Sequence, residues 1–266
     1  MGKIVIVGCG AMGGAILSGC LSGHVWQPDN VILKEHSPEA GKEKAALYGV
    51  SFSEDGHEVG EAELVILAVK PHILPEAARE IARFRPKGTV ISIAAAVTLG
   101  ELAGYFPDGT RIIRVMPNTP ASVSAGFTAI SAGAFADGSD IEKAKAVFDA
   151  LGESVVVGER QLDALGALSG AGPGYAFVIM DALSDAGVNI GLPRHVAIRA
   201  AAQALYGAAK MVLETGEHPA RLRDQVTSPG GTTIAGIQAM ERGGLRSALI
   251  DGVEACMKKS DAMGQS

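Results

Sequence analysis

Several residue types are scarce in this 266-residue chain, and each scarcity excludes a class of protein. Aromatic residues make up 5% of the sequence, so the core must be built mainly from Ala, Val, Ile and Leu. Basic residues do not outnumber acidic ones. The formal net charge of −6 argues against nucleic acid as a partner, because binding phosphates requires a basic face. With 47% apolar residues, the chain is expected to fold into one large domain or two ordinary ones.

Cysteine and histidine are too few and too scattered to form a disulfide framework or a metal site. The cysteines, Cys9, Cys20 and Cys256, form no CxxC pair, and the six histidines show no zinc-ligand spacing. Residues 4–28 contain no Asp, Glu, Lys or Arg, but their six glycines would make a poor membrane-spanning helix. We therefore expect a cytoplasmic protein without a metal site and without a membrane partner.

The apolar residues follow two contrasting patterns along the chain. Up to about residue 160, short β-branched runs such as 3–7 and 64–69 alternate with helical segments. This alternation predicts an α/β domain whose parallel sheet has helices on both faces. From 161 to 266 only Ala-rich helical stretches remain, which predicts an all-α domain.

The predicted helical domain has more apolar surface than it can cover by itself. Apolar residues surround nearly the whole circumference of the helix at 196–212, so we expect that helix to be buried on all sides. Interdigitation with a second subunit would cover the surplus, and we expect such a homo-oligomer.

A complete GxGxxG motif follows the first predicted strand directly and opens the first predicted helix. In this context the first glycine permits a tight turn, and the second lets a pyrophosphate approach the backbone. The third lets the helix pack closely on the strand. The motif predicts a dinucleotide site, and a merely tight turn is the alternative. Its residues are Gly8, Cys9, Gly10, Ala11, Met12 and Gly13.

Glu35 lies at the end of the second predicted strand (31–35), where dinucleotide-binding domains commonly bind the adenosine ribose. A carboxylate there would accept a hydrogen bond from a 2′-hydroxyl and repel a 2′-phosphate, which favours NAD over NADP. Lys34, His36 and Ser37 adjoin it and could instead hold a phosphate. Glu35 could also be a solvent-exposed charge at the start of a helix.

Two further strand ends carry residues suited to a ligand site. Segment 68–71 ends a predicted strand at its carboxyl end, where open α/β sheets bind ligands. Within it, Lys70 either has a role in the site or is an ordinary exposed lysine. After a later strand, a loop made rigid by two prolines would present Asn118 and Thr119 towards the same crevice.

Two glycine-rich segments stand out in the helical half. Residues 169–175 (SGAGPGY) would let a backbone approach a ligand closely, although helix packing alone could explain them. Residues 228–233 (SPGGTT) open a helix with free N–H groups, which predicts an anion site for a substrate carboxylate. No lysine lies between Lys145 and Lys210 to act as acid or base. Hydride transfer to a protonated C=N bond needs little such help and is therefore favoured.

Together these motifs resemble those of the pyrroline-5-carboxylate reductase family over essentially the whole chain. The matching blocks are GCGAMG at 8–13, LAVKPH at 67–72, SIAAAVTL at 92–99, RVMPNTP at 114–120, LSGAGPGYAF at 168–177, ETGEHP at 214–219 and DQVTSPGGTT at 224–233. The resemblance implies a Rossmann domain over 1–160 that binds NADP(H) or NAD(H). It also implies a helical domain over 161–266 that binds substrate and dimerises by interleaving, with dimers often forming a decamer. The implied reaction is reduction of 1-pyrroline-5-carboxylate to L-proline, the last step of proline biosynthesis.

The resemblance also assigns roles to individual residues. Backbone N–H groups of the SPGGTT segment would hold the substrate carboxylate, and Thr233 would be the catalytic residue that hydrogen-bonds the ring nitrogen. The substrate-binding residues would be Ser228, Gly230, Gly231, Thr232 and Thr233. The implied cofactor contacts are Gly8 to Met12, Ser37, Ala68, Val69, Lys70, Pro71, Ala94 and Ala95, to which the motifs add Gly13, Glu35 and Asn118.

The chain departs from the family pattern at a few positions. Ala171 and Gly174 stand where the family commonly has Ser and Ala, so a role for a hydroxyl at 171 does not transfer. Ala96 stands where the family often has Gly, a change we expect to be harmless. The alternatives are a reductase for another cyclic or open-chain imino acid and a redox sensor that binds dinucleotide without turnover. An intact anion loop argues against the sensor.

Overall fold

The computed structural model describes residues 2–264, which form two compact units. The first unit contains the described residues up to Ala171 and those from Cys256 onward, and the second contains Gly172–Ala255. The first is built around a sheet, whereas the described residues of the second contain helices and no strand. This confirms the predicted fold class, an α/β domain followed by an all-α domain. The boundary of the dinucleotide-binding domain at residue 160 stays a prediction.

A single sheet organises the first unit. Its strands are β1 (Ile4–Val7), β2 (Val31–Lys34), β3 (Ser51–Phe52), β4 (Leu64–Leu67), β5 (Thr89–Ser92), β6 (Ile112–Met116), β7 (Gly126–Ala132) and β8 (Gly152–Val156). Their order in the sheet is β3-β2-β1-β4-β5-β6-β7-β8. The order along the chain reverses at β1, so the carboxyl ends of β1 and β4 flank the position where such sheets bind ligands.

One pairing differs from the predicted parallel arrangement. The first six strands are all parallel, but β7 runs antiparallel to β6, with Val115 opposite Ile130. The connection between them holds only a short 3-10 turn at Thr119–Val123, and a parallel pair would need a long crossover. Strand β8 is again parallel to β7. The expectation of a wholly parallel sheet is therefore wrong at this edge.

Most helices lie where their sequence signals predict them. They are α1 (Ala11–Ser22), α2 (Pro38–Tyr48), α3 (Leu74–Ala82), α4 (Leu99–Ala103), α5 (Gly138–Asp149), α6 (Glu159–Leu165), α7 (Gly172–Asn189), α8 (Arg194–Thr215), α9 (Pro219–Gln225), α10 (Thr232–Arg242) and α11 (Leu245–Met263). Helix α2 begins after Ser37, whose hydroxyl accepts the Ala40 N–H. The helical stretch that begins after residue 160 is interrupted by a π-helical turn at Gly166–Gly170, between α6 and α7.

The sheet separates two apolar layers, which fix the helices that surround the strand ends. On one face Ile6 packs with Leu17 of α1 and Phe148 of α5. On the other face Val65 packs with Leu74 of α3. The central strands are buried along their whole length, which is why they appear in the sequence as unbroken apolar runs.

The second unit leaves much of its apolar surface exposed. The buried residues of α8 are Ala197 and Ala201, whereas Tyr206 is 60% and Leu213 75% exposed. The expectation that this helix is buried on all sides is therefore wrong for a single chain. A second subunit is what the sequence predicts to cover this surface. None of the helices among residues 2–264 has the length and apolar character needed to span a bilayer.

The backbone at Ala96 bears on one departure from the family pattern. Its φ is +59°, in the left-handed region where a Cβ costs about 1–2 kcal/mol. Glycine, which the family often has here, adopts this conformation without that cost. The expectation that alanine is harmless here is therefore wrong with respect to backbone strain, because alanine adopts this conformation at a cost in free energy that glycine avoids.

We expect Ala96→Gly to raise the free energy of unfolding by up to about 1 kcal/mol, because relief of left-handed strain outweighs the entropy that glycine adds to the unfolded chain. Denaturant unfolding would measure the change. Ala95→Gly is the matched control, because Ala95 is exposed in the same turn and does not have a positive φ. It should lower stability by about 0.5–1 kcal/mol. Effects of the same sign at both positions would contradict the assignment of strain to Ala96.

Candidate active site

A cleft of about 470 Å³ opens at the carboxyl ends of β1, β2 and β4. This is the position that the reversal of strand order predicts for a ligand. The cleft is bounded by the segments that follow these strands and by one residue of α2. Helix α3 and the turn that precedes it form the remaining side. Its lining residues are Val7, Gly8, Cys9, Gly10, Lys34, Glu35, His36, Lys44, Ala68, Val69, Lys70, Ile73, Glu76, Ala77 and Glu80.

The three glycines of the motif differ in what requires them. Gly8 has φ +89°, and a Cβ there would lie 2.8 Å from the carbonyl oxygen of Ala68. A Cβ at Gly13 would lie 2.5 Å from the carbonyl oxygen of Gly8. The chain itself therefore requires glycine at both positions.

Gly10 is different, because a Cβ there would meet no atom of the described chain within 4 Å. It is the residue before α1, and no side chain caps the start of that helix. Open space beside a glycine and an uncapped helix start fit the pyrophosphate of a nicotinamide dinucleotide. These features favour the dinucleotide interpretation of the motif over a merely tight turn.

Glu35 is fixed against the glycine-rich loop. Its Oε1 accepts hydrogen bonds from the Cys9 N–H at 2.7 Å and from Lys44 Nζ at 2.6 Å. Burial alone would raise the pKa of Glu35, but the hydrogen bonds from Lys44 and Cys9 outweigh burial and lower that pKa below its ordinary value. The side chain is only 16% exposed, so the interpretation of Glu35 as a solvent-exposed charge is wrong.

Two of the neighbours that could have held a phosphate are engaged within the chain. Lys34 is buried, with its Nζ 3.0 Å from an oxygen of Glu80, and it donates a hydrogen bond to the Glu54 carbonyl. Ser37 accepts a hydrogen bond as the cap of α2 and donates one to Glu39. The third neighbour, His36, lines the cleft.

The structure brings seven of the predicted cofactor residues to the cleft: Gly8, Cys9, Gly10, Glu35, Ala68, Val69 and Lys70. The other motif residues, Ala11, Met12 and Gly13, form the first turn of α1. Ser37 caps α2, and Pro71 lies in the turn before α3. Ala94 and Ala95 follow β5, the strand beside β4. The cofactor roles of all these residues stay predictions.

Asn118 is not among the residues that line the cleft. Its Nδ2 donates to the Ser169 carbonyl at 3.0 Å, and its Oδ1 accepts the Phe127 N–H at 2.9 Å. These bonds tie the loop after β6 to β7 and to the π-helical turn. They give no support to the predicted cofactor contact.

The predicted anion loop, residues 228–233, leads into α10 in the second unit. Gly230 has φ +68°, and the N–H of Gly231 donates to the Ser228 carbonyl at 3.0 Å. A Cβ at Gly231 would collide with the Ser228 hydroxyl. No side chain caps α10, and Thr232 and Thr233 are exposed at its start. The loop therefore has the open helix N-terminus that an anion site requires.

A shallow depression of about 370 Å³ lies beside this loop. It is lined by Gly230, Gly231, Ile234, Ala235 and Gln238. Thr233 is not among these lining residues, so its predicted contact with the substrate nitrogen stays a prediction.

Sequence reasoning missed some of the residues that line the cleft. Lys44 lies on α2, nine positions after Glu35, and a spacing of nine residues does not predict that the two side chains meet. Glu76 and Glu80 belong to α3, whose apolar face was detectable from the helical spacing of its buried residues. These two glutamates lie at the edge of that apolar face. The helical spacing could therefore have predicted that they lie beside the carboxyl ends of the strands.

Known proteins resemble both parts of this chain. Residues 159–263 match the family model described as pyrroline-5-carboxylate reductase dimerisation, and residues 3–96 match the one described as NADP oxidoreductase coenzyme F420-dependent. The chain is 41% identical to the pyrroline-5-carboxylate reductase of Synechocystis sp. over 264 residues, which cover 99% of this chain and 98% of that protein.

Solved structures agree with the sequence comparison. The pyrroline-5-carboxylate reductase of Coxiella burnetii is 33% identical, with a TM-score of 0.92 and 98% of each chain covered. The pyrroline carboxylate reductase of Plasmodium falciparum, solved with NADP bound, is 27% identical, with a TM-score of 0.87 and the same coverage. Since the similarity runs through both units and nearly the full length, the chain belongs to the pyrroline-5-carboxylate reductase family.

Proposed function

We propose that this chain reduces 1-pyrroline-5-carboxylate to L-proline with a nicotinamide dinucleotide, which is the last step of proline biosynthesis. The proposal rests on two features that occur together in this member of the family. The chain has an open glycine-rich cleft, and its 228–233 loop leads into a helix start that no side chain caps. A sensor that only bound dinucleotide would not need the second of these.

Each unit supplies one part of the chemistry. In the first unit, the loop over Gly8–Gly10 and the start of α1 bind the pyrophosphate. In the second, the N–H groups at the start of α10 hold the substrate carboxylate, and the Thr233 hydroxyl hydrogen-bonds the ring nitrogen. When bound, the dinucleotide supplies the hydride. A protonated C=N bond is already electrophilic, so the chain contributes mainly by positioning its ligands.

NADP(H) is the cofactor that we propose, with NAD(H) as a second. The Plasmodium falciparum relative was solved with NADP, and residues 3–96 match a family model described as an NADP oxidoreductase. The carboxylate of Glu35 by itself would favour NAD(H), but its pairing with Lys44 offsets that charge.

We also propose a cytoplasmic homodimer that assembles further into a decamer. The match to a dimerisation model over residues 159–263 supports the dimer. The exposed apolar residues of α8 support it as well, because a monomer would leave them in water. The decamer and the cytoplasmic location rest on the resemblance to the family.

The proposed activity has a direct test. Purified protein given 1-pyrroline-5-carboxylate should oxidise NADPH or NADH without added metal, and a chelator should leave the rate unchanged. Absorbance at the reduced nicotinamide band measures the rate, and chromatography identifies proline as the product. Folded protein that turned over with neither cofactor would overturn the proposal.

Thr233 should act on the reacting nitrogen, so its hydroxyl should affect kcat more than KM. Thr233→Val keeps the shape and removes the hydroxyl, and we expect a loss of about 1–3 kcal/mol, roughly 5- to 150-fold in kcat/KM. Thr232→Val is the comparison, because the role assigned to Thr232 is that of its backbone N–H, and its loss should be smaller. Equal effects of the two substitutions would show that Thr233 serves only as a helix-start residue.

The helical unit should be obligately dimeric, with folded monomer scarcely populated, because its exposed apolar surface needs a partner. Light scattering coupled to size exclusion at micromolar concentration measures the mass. Leu213→Glu places a charge where the side chain is 75% exposed in the single chain, and it should weaken association. A stable, folded wild-type monomer would contradict this prediction.

A further inference from the structure

We propose that Lys44 is the residue that lets this cleft accept a 2′-phosphate, by moving from Glu35 to the phosphate when NADPH binds. The inference rests on the proposed function, since it concerns the cofactor of that reaction. It assigns a specificity-determining role to a residue outside every motif of the sequence.

The position of Glu35 identifies the part of the cofactor that is involved. The strands β1 and β2 are paired in parallel, and the Gly8 N–H donates to the Lys34 carbonyl at 2.8 Å. Glu35 therefore lies directly beside the glycine-rich loop, where the ribose next to the pyrophosphate is bound in dinucleotide-binding sheets. Its carboxylate accepts the Cys9 N–H, and this contact to the backbone fixes it there.

A fixed carboxylate at this position repels a 2′-phosphate unless a cation offsets its charge. Lys44 is that cation, with its Nζ 2.6 Å from Glu35 Oε1 in a pair whose charges cancel. The other lysine beside the end of β2, Lys34, is held by Glu80 and the Glu54 carbonyl. Of these two lysines, Lys44 is therefore the one whose described ion pair is with Glu35, and it lines the cleft.

The two members of the pair differ in their freedom to move. The Glu35 side chain is 16% exposed, and its carboxylate has the Cys9 N–H as a second partner. The Lys44 side chain is 34% exposed, and its ammonium lies at the end of a flexible four-carbon chain. The ammonium can therefore turn to a phosphate while the carboxylate stays. With NADH, Lys44 would remain on Glu35, and the carboxylate would accept from the 2′-hydroxyl.

The first test compares kcat/KM for the two cofactors in charge variants. Lys44→Met should lower the NADPH-to-NADH ratio by about tenfold, because the phosphate loses its cation and meets an unpaired carboxylate. Lys44→Arg should retain most of the wild-type ratio. Glu35→Gln should raise the ratio, because it removes the repulsion and frees Lys44. Lys42→Met is the matched control: it removes the same charge from an exposed position on the same helix that does not line the cleft.

The second test measures binding without turnover. Calorimetry with 2′,5′-ADP and with 5′-AMP compares fragments that differ in the 2′-phosphate. We expect Lys44→Met to weaken 2′,5′-ADP about tenfold and to change 5′-AMP far less. The preference of the wild type for 2′,5′-ADP should also fall with added salt, and the variant should show a weaker salt dependence.

Equal losses with both fragments, or no loss with either, would overturn the role of Lys44. An effect of Lys42→Met as large as that of Lys44→Met would also overturn it. The change in cofactor preference would then follow from the loss of one positive charge anywhere on the helix, not from Lys44 itself. These outcomes are distinct from a failure of the proposed function. In that case the wild-type protein would not reduce 1-pyrroline-5-carboxylate, whatever the fragments showed.

Discussion

The architecture of the cofactor cleft depends on a close backbone approach among Gly8, Gly13 and Ala68. A side chain at either glycine would collide with a neighbouring carbonyl, so α1 could not begin so close to the ends of β1 and β4. That proximity turns the uncapped start of α1 towards the strand ends, where it can stabilise an anion. The apolar layers of the sheet hold the rest of the unit around this contact.

Much of this unit could be predicted from the sequence because local signals agree with the global fold. The central strands β1 and β4 are apolar throughout, and the start of α2 carries both a cap and a proline. The antiparallel β7 was not predictable in this way, since strand direction depends on the length of a connection and not on apolar pattern. Helix α4 was missed because five residues are too few for a periodic signal. Its reciprocal cap between Thr98 and Glu101 could have predicted it.

The candidate site shows a similar division. Backbone features such as the glycines and the open helix starts follow from sequence motifs, because each motif determines its own local geometry. Side-chain partnerships do not, as the pairs Glu35–Lys44 and Asn118–Ser169 show, because they join segments whose spacing along the chain carries no signal. Arg114 is another case: it is buried and paired with Glu159 and Asp163, and Glu159 also accepts the Leu99 N–H at the start of α4. This network joins β6, α4 and α6 although no motif connects them.

The chain has one tryptophan, Trp26, and it is buried in the apolar layer that also contains Leu17 and Phe148. Its indole emission therefore reports the integrity of the sheet unit and contains no direct contribution from the helical unit. In an unfolding experiment, fluorescence and far-ultraviolet circular dichroism would accordingly weight the two units differently. Coincident transitions would show that the units unfold as one cooperative system, and separated transitions would give each unit its own free energy.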